Sequence, residues 1–122
     1  ASALAVMDIM KRDDYAGKAR HIGEVVTKRY KELQEKYTVI GDVRGLGAMI
    51  GVELVKDRET KEPATEITGK LIQNAIQKGL LLESCGTASN VVRFLAPLTM
   101  TDEQMEKGLE IFEAALKEAI EE

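Results

Sequence analysis

The feature that most constrains this chain is a change of hydrophobic period near residue 38. Before it, Ala19, Ile22, Val26, Tyr30, Leu33 and Tyr37 recur every three or four residues. That spacing puts them on one face of a helix and predicts a helix over Tyr15–Tyr37. After it, Ala48, Ile50, Val52 and Leu54 alternate with Met49, Gly51, Glu53 and Val55. Alternation is the signature of a strand buried on one side. It predicts two strands, Val39–Arg44 and Ala48–Val55, joined by Gly45-Leu46-Gly47. Glycine supplies the positive backbone angles that a tight reversal needs. Gly51 would leave room for a close neighbour.

The period switches again downstream. Ile67, Leu71, Ile72, Ala75 and Ile76 predict a helix over Ala64–Lys78 that ends at Gly79. Leu80–Glu83 and Val91–Leu95 read as short strands around a small, polar loop, Ser84–Asn90. Thr101 and Gln104 form a capping box that opens the last helix, with Met100 placed to staple onto Met105. Met105, Leu109, Phe112, Leu116 and Ala119 make its buried stripe. Ahead of all these, Ala3–Met10 is helical in composition, but its apolar residues point nearly all round, as in a helix covered on several sides. Asp13 or Asp14 is placed to cap the next helix. The order α-α-β-β-α-β-β-α predicts an α+β fold with a small, mostly antiparallel sheet and helices on one face.

The totals exclude several classes. A chain of 122 residues fits one domain and can bury a real core. Its net charge of −4, with no basic stripe and no Trp, gives no reason to seek nucleic acid or an anionic membrane. No apolar run is long enough to span a membrane and no export signal leads the chain. The single cysteine, Cys85, cannot form an intrachain disulfide, so a reducing, cytoplasmic setting is expected.

Signatures of chemistry are sparse. His21 is the only histidine, which rules out His-rich metal sites and Ser-His-Asp triads, and it lies beside the apolar stripe of its helix, as a surface histidine would. Gly45-Leu46-Gly47 leads into a strand, whereas a dinucleotide loop must lead into a helix. No lysine sits at an apolar strand end, where desolvation would ready it for Schiff-base work. Arg93 stands out. It lies mid-strand in Val91-Val92-Arg93-Phe94-Leu95, on the face opposite Val92 and Phe94. A guanidinium there pairs with an anion or reaches a cleft, and its fork of donors suits a carboxylate. On pattern alone, an edge-strand arginine or an internal ion pair would look the same.

Two stretches resemble a known family. Gly41-Asp42-Val43-Arg44-Gly45-Leu46-Gly47-Ala48-Met49-Ile50-Gly51-Val52-Glu53-Leu54 is similar to the first hairpin of the small domain of class III aminotransferases. Lys78-Gly79-Leu80-Leu81-Leu82-Glu83-Ser84-Cys85-Gly86, followed by Asn90-Val91-Val92-Arg93-Phe94-Leu95-Ala96-Pro97-Leu98-Thr99, resembles its second half, in particular that of bacterial 4-aminobutyrate aminotransferases. Ala1–Met10 resembles the helix that leaves the large domain. The likeness implies the small domain of fold-type I pyridoxal-phosphate enzymes, with residues 1–14 ending a helix from a missing large domain and 15–122 forming the small domain. It implies a homodimeric parent that moves an amino group from 4-aminobutyrate to 2-oxoglutarate. Arg93 falls where the family grips a substrate carboxylate. Gly45-Leu46-Gly47 and Ser84–Asn90 would shape the rim. The family's Schiff-base lysine, the aspartate facing the pyridine nitrogen, the stacking aromatic and the phosphate-binding residues all lie upstream of the matching region. The chain alone is therefore expected to have no catalytic or cofactor-binding residue, not to hold pyridoxal phosphate, and to be inactive.

Other readings fit the same residues. The donor could instead be acetylornithine, ornithine or another ω-amino acid. The chain could also be a stand-alone α+β module that binds a small ligand, or a dimerisation domain associating through Ala3–Met10. The apolar opening, without Met, is expected of a piece of something larger.

Overall fold

The computed structural model describes residues 2–121. Eight elements follow the expected order: α1 Ser2–Arg12, α2 Tyr15–Lys36, β1 Ile40–Leu46, β2 Met49–Leu54, α3 Thr65–Gln77, β3 Glu83–Cys85, β4 Val91–Phe94 and α4 Asp102–Glu121. The strands form one antiparallel sheet in the order β1-β2-β4-β3. Helices α2, α3 and α4 cover one face. Ile22, Val26, Tyr30 and Leu33 of α2, Leu71 and Ala75 of α3, and Met105, Leu109, Phe112 and Leu116 of α4 share a core with Val43, Ile50, Val52, Leu54 and Val92 of the sheet. Tyr30 and Phe112 join α2 to α4, with ring centroids 4.9 Å apart and tilted 58°. Such tilted aromatic pairs add to the burial of their area.

Local chemistry sets the ends. The Asp14 carboxylate accepts from Gly17 N at 3.1 Å and caps α2. The Thr101–Gln104 box closes as expected: Gln104 N donates to Thr101 Oγ1 at 3.2 Å, and Thr101 N donates to Gln104 Oε1 at 3.0 Å. Arg58, from the charged loop after β2, donates to the carbonyls of Gln34, Tyr37 and Thr38 at the end of α2. It satisfies carbonyls that have no partner inside the helix.

Four sequence expectations change. The hairpin turns at Gly47-Ala48, because β1 runs on to Leu46 and pairs Leu46 with Met49. Of Gly45, Leu46 and Gly47, only Gly47 has a positive φ, at 55°. Gly45 is a strand residue opposite Ile50, and a Cβ there would lie 2.3 Å from the Met49 carbonyl oxygen. The third strand is Glu83–Cys85 rather than Leu80–Glu83, since pairing with β4 begins at Glu83 opposite Arg93. In α3 the buried positions are Thr68, Leu71 and Ala75, while Ile76 is half exposed. Thr68 is tolerated inside because its hydroxyl donates to the Ala64 carbonyl at 2.9 Å. Finally, α1 buries no residue, and Leu4, Val6, Met7, Ile9 and Met10 all face outward or sideways into solvent.

Candidate functional site

The alternation that buries Ile50, Val52 and Val92 aims their neighbours at the opposite face of the sheet. No core helix covers that face. One row crosses all four strands, Arg44 (β1), Gly51 (β2), Arg93 (β4) and Glu83 (β3). The next row holds Asp42, Glu53, Val91 and Cys85. The outer face is therefore a patch of charge built on a rigid sheet, with a gap at Gly51 between its two arginines.

The two guanidinium groups are held differently. Arg44 Nη1 donates to Asp42 at 2.7 Å and to Glu53 at 2.6 Å, and these bonds, Asp42's first, raise its pKa further. Two carboxylates oppose one cation, so Arg44 has no charge left to offer. Arg93 has one carboxylate, Glu83, reached by Nη2 at 2.7 Å across the β3–β4 pair. That uses one of the five donors of a guanidinium. Its side chain is 41% exposed and that of Glu83 is 76% exposed. The pair thus sits in a wet setting where an exposed ion pair is worth little.

Arg93 also borders a groove of about 460 Å³, lined by Leu80, Leu82, Glu83, Phe94, Pro97 and Met100 among others. Arg93 is the one cation among the lining residues. Both outcomes anticipated for Arg93 are realised together, an internal ion pair and an adjacent cleft. Neither Gly45-Leu46-Gly47 nor Ser84–Asn90 lines this groove, which is bounded by Leu80–Glu83 and Leu95–Pro97 instead. Glu83 did not stand out in the sequence, where it closes an apolar run. Its facing of Arg93 is a fact of register between strands.

The remaining candidates take ordinary roles. His21 is exposed and meets Asp102 at 2.7 Å, tying α2 to the start of α4. Cys85 is half buried and free. No cluster of metal-ligating side chains occurs among the described residues, and none of their helices is long and apolar enough to cross a membrane. The groove also does not suit pyridoxal phosphate. Its lining has no lysine to meet an aldehyde and no aspartate to face a pyridine nitrogen. No lysine of the described residues is buried. What the outer face offers chemically is the holding and orienting of an acid group.

The chain is similar to known proteins in sequence and in backbone. Residues 1–116 match the family described as Aminotransferase class-III. The chain is 45% identical to the 5-aminovalerate aminotransferase of Pseudomonas aeruginosa, over 91% of this chain and 26% of that protein. It is 40% identical to the 4-aminobutyrate aminotransferase of Escherichia coli, over 97% of this chain and 28% of that one. An alanine/serine racemase from Pyrococcus horikoshii is 42% identical, over 98% and 25%. Among solved structures, an amine transaminase from an uncultivated Pseudomonas species in its PLP-bound internal-aldimine form superposes with a TM-score of 0.83 at 32% identity. That match covers 96% of this chain and 26% of the other. The chain spans about a quarter of the length of these relatives. An α+β fold of this topology, matched along nearly its whole length in sequence and in backbone, places the chain in the class III aminotransferase family, as the small domain of its fold-type I architecture.

Proposed function

We propose that the chain is the carboxy-terminal substrate-recognition domain of a pyridoxal-phosphate-dependent aminotransferase of the 4-aminobutyrate type. In this reading the catalytic lysine and the cofactor site belong to the rest of the enzyme. Residues 1–14 end the helix that enters from a large domain, and 15–122 are the small domain. The donor is an ω-amino acid such as 4-aminobutyrate, the acceptor is 2-oxoglutarate, and the working enzyme is a cytoplasmic homodimer. When bound, the cofactor supplies the electron sink for moving the amino group. This domain contributes Arg93, which holds the substrate carboxylate remote from the reacting carbon.

One observation carries the proposal. Arg93 stands on the open face of the sheet, beside a groove, with most of its donors uncommitted. Two parallel hydrogen bonds from such a fork fix a carboxylate in orientation as well as position. The aminotransferase relatives named above act on ω-amino acids, which supports the donor class. The racemase relative supports a second reading, in which the substrate is an α-amino acid and no dicarboxylate is handled.

The test is Arg93→Ala in the aminotransferase that carries this chain, assayed with 2-oxoglutarate and with pyruvate, which lacks the second carboxylate. Loss of a charge-assisted pair should cost about 2–5 kcal/mol with 2-oxoglutarate and far less with pyruvate. Equal effects on both acceptors would remove Arg93 from the site. Racemisation of alanine without transamination would favour the second reading. Mixed with pyridoxal phosphate alone, the 122-residue chain should give no specific internal-aldimine absorbance and no turnover.

A further inference from the structure

We infer that Asn90 is a positioning residue for substrate binding: its amide clamps the start of the β2–β4 pairing and so fixes where along the sheet Arg93 stands. This role rests on the one proposed for Arg93 and adds the residue that sets its place. Asn90 is 5% exposed, one of two buried polar residues among those described. The register of β2 and β4, carried one step beyond Glu53 and Val91, brings it opposite Leu54. A hydrogen-bonded antiparallel pair at that point would exchange two main-chain bonds. The first is made, with Leu54 N donating to the Asn90 carbonyl at 2.8 Å. The second comes from the side chain, whose Nδ2 donates to the Leu54 carbonyl at 2.8 Å. The amide thus stands in for a main-chain donor, just after Ser89 has turned the backbone to a φ of 51°. A non-glycine residue held there needs surroundings that fix it. Thr65 supplies another tie, its Oγ1 donating to the Ala88 carbonyl at 2.7 Å.

Alternation alone leaves β4 free in one respect. A slip of one residue would turn Arg93 into the core and is strongly opposed. A slip of two keeps every side chain on its own face. It would carry Arg93 about 7 Å along the sheet. Arg93 would then leave Gly51 and lie across from Glu53 in one direction, or from Met49 in the other. Glu53 already holds Arg44 at 2.6 Å and would draw Arg93 away from the groove. A full slip is not needed, because a shift of about 1 Å in a binding group is enough to lose much of its effect. Asn90 lies three residues ahead of Arg93 on the same chain segment, so its two bonds to Leu54 bear directly on where the guanidinium sits. The Leu54 carbonyl also accepts from Ala64 N, at the start of α3, at 3.1 Å. Removing the Asn90 amide therefore leaves that carbonyl paired. The fold should survive while the start of β4 loosens.

The experiment measures the ratio of kcat/KM for 2-oxoglutarate to that for pyruvate in the aminotransferase carrying this chain, and in its N90A, N90S and R93A variants. The ratio does not depend on how much of each preparation is folded, so a loss of stability alone leaves it where it was. N90A should lower the ratio about tenfold, through a higher KM for 2-oxoglutarate with kcat nearly unchanged. N90S, which keeps a polar group on a shorter side chain, should lower it in the same way, and it decides the matter if N90A yields no soluble enzyme. R93A should collapse the ratio. A ratio unchanged in R93A would overturn the reading of Arg93, and the role of Asn90 with it. A ratio that collapses in R93A but keeps the parent's value in the Asn90 variants, with both acceptors losing equally, would overturn the role of Asn90 alone.

Discussion

The two faces of the sheet are made from one alternating sequence and serve opposite ends. On the inner face, Ile50, Val52 and Val92 are each 1% exposed or less, locked under three helices. On the outer face, their immediate neighbours Arg44, Arg93 and Glu83 are exposed and joined by ion pairs. The lesson is a division of labour along each strand. Burial of one alternating set holds the backbone still, and a still backbone lets the other set present charge at fixed spacing. Rigid elements position binding groups better than loops do. The face that stabilises and the face that recognises should therefore respond differently to substitution.

The largest contrast lies within β2 and its neighbour. Ile50→Ala should destabilise the fold by about 2–5 kcal/mol, from lost burial and the cavity left behind. Urea denaturation of the chain measures it. A loss below about 1 kcal/mol would show that the inner face is not a packed core. A middle-sized effect is expected where α2 approaches the hairpin. A Cβ on Gly23 would stand 2.5 Å from the Gly47 carbonyl oxygen, against backbone that cannot swing aside. Gly23→Ala should cost about 1–3 kcal/mol by forcing the helix off the turn. An unchanged denaturation midpoint would mean that the hairpin is free to shift.

Next comes an ion-pair cluster away from both faces. Glu113 of α4 accepts from Lys36, Tyr37 and Arg29 around the end of α2. The Lys36 hydrogen bond chiefly, helped by the charges of Lys36 and Arg29, holds its carboxyl below the ordinary glutamate range. A carboxyl depressed in the folded state adds stability that is fully present above the unfolded pKa and is lost as pH falls through the folded one. Glu113→Gln should therefore cost about 1 kcal/mol near neutrality. The difference from the parent should close in acid, below the usual carboxylate range. A difference that stays constant with pH would assign the effect to packing. The smallest effect belongs to the outer face. Arg44→Ala removes two ion pairs, yet the side chain is half exposed, so the expected loss is at most about 1 kcal/mol. A loss as large as that of Ile50→Ala would erase the contrast between the faces.

Much of this architecture is legible in the sequence. The period changes near residues 38 and 64 separate helix from strand, because side chains repeat every 3.6 residues on one and every 2 on the other. The capping box at Thr101 is local, since its donor and acceptor lie three residues apart. The turn falls at Gly47-Ala48 rather than across Gly45-Leu46-Gly47, because two glycines compete for the same reversal. Only pairing of Leu46 with Met49 decides between them. Spacing alone admits both Ile76 and Thr68 to the wide stripe of α3, and packing against the rest of the fold buries Thr68 and leaves Ile76 half exposed. Arg58 at the end of α2 has no signature at all, since its three acceptors lie 20 or more residues away in the chain.

By itself, then, the sequence determined the kinds and order of the elements, the buried stripes of α2 and α4, and the placing of Arg93 opposite Val92. Each of these follows from spacing along a single segment. The tertiary structure alone decided that Glu83 faces Arg93, that Arg44 is saturated while Arg93 is not, and that a groove opens beside them. Strand order and register are set by the whole core collapsing against the sheet, and one strand's alternation cannot say which residue of another lies across from it.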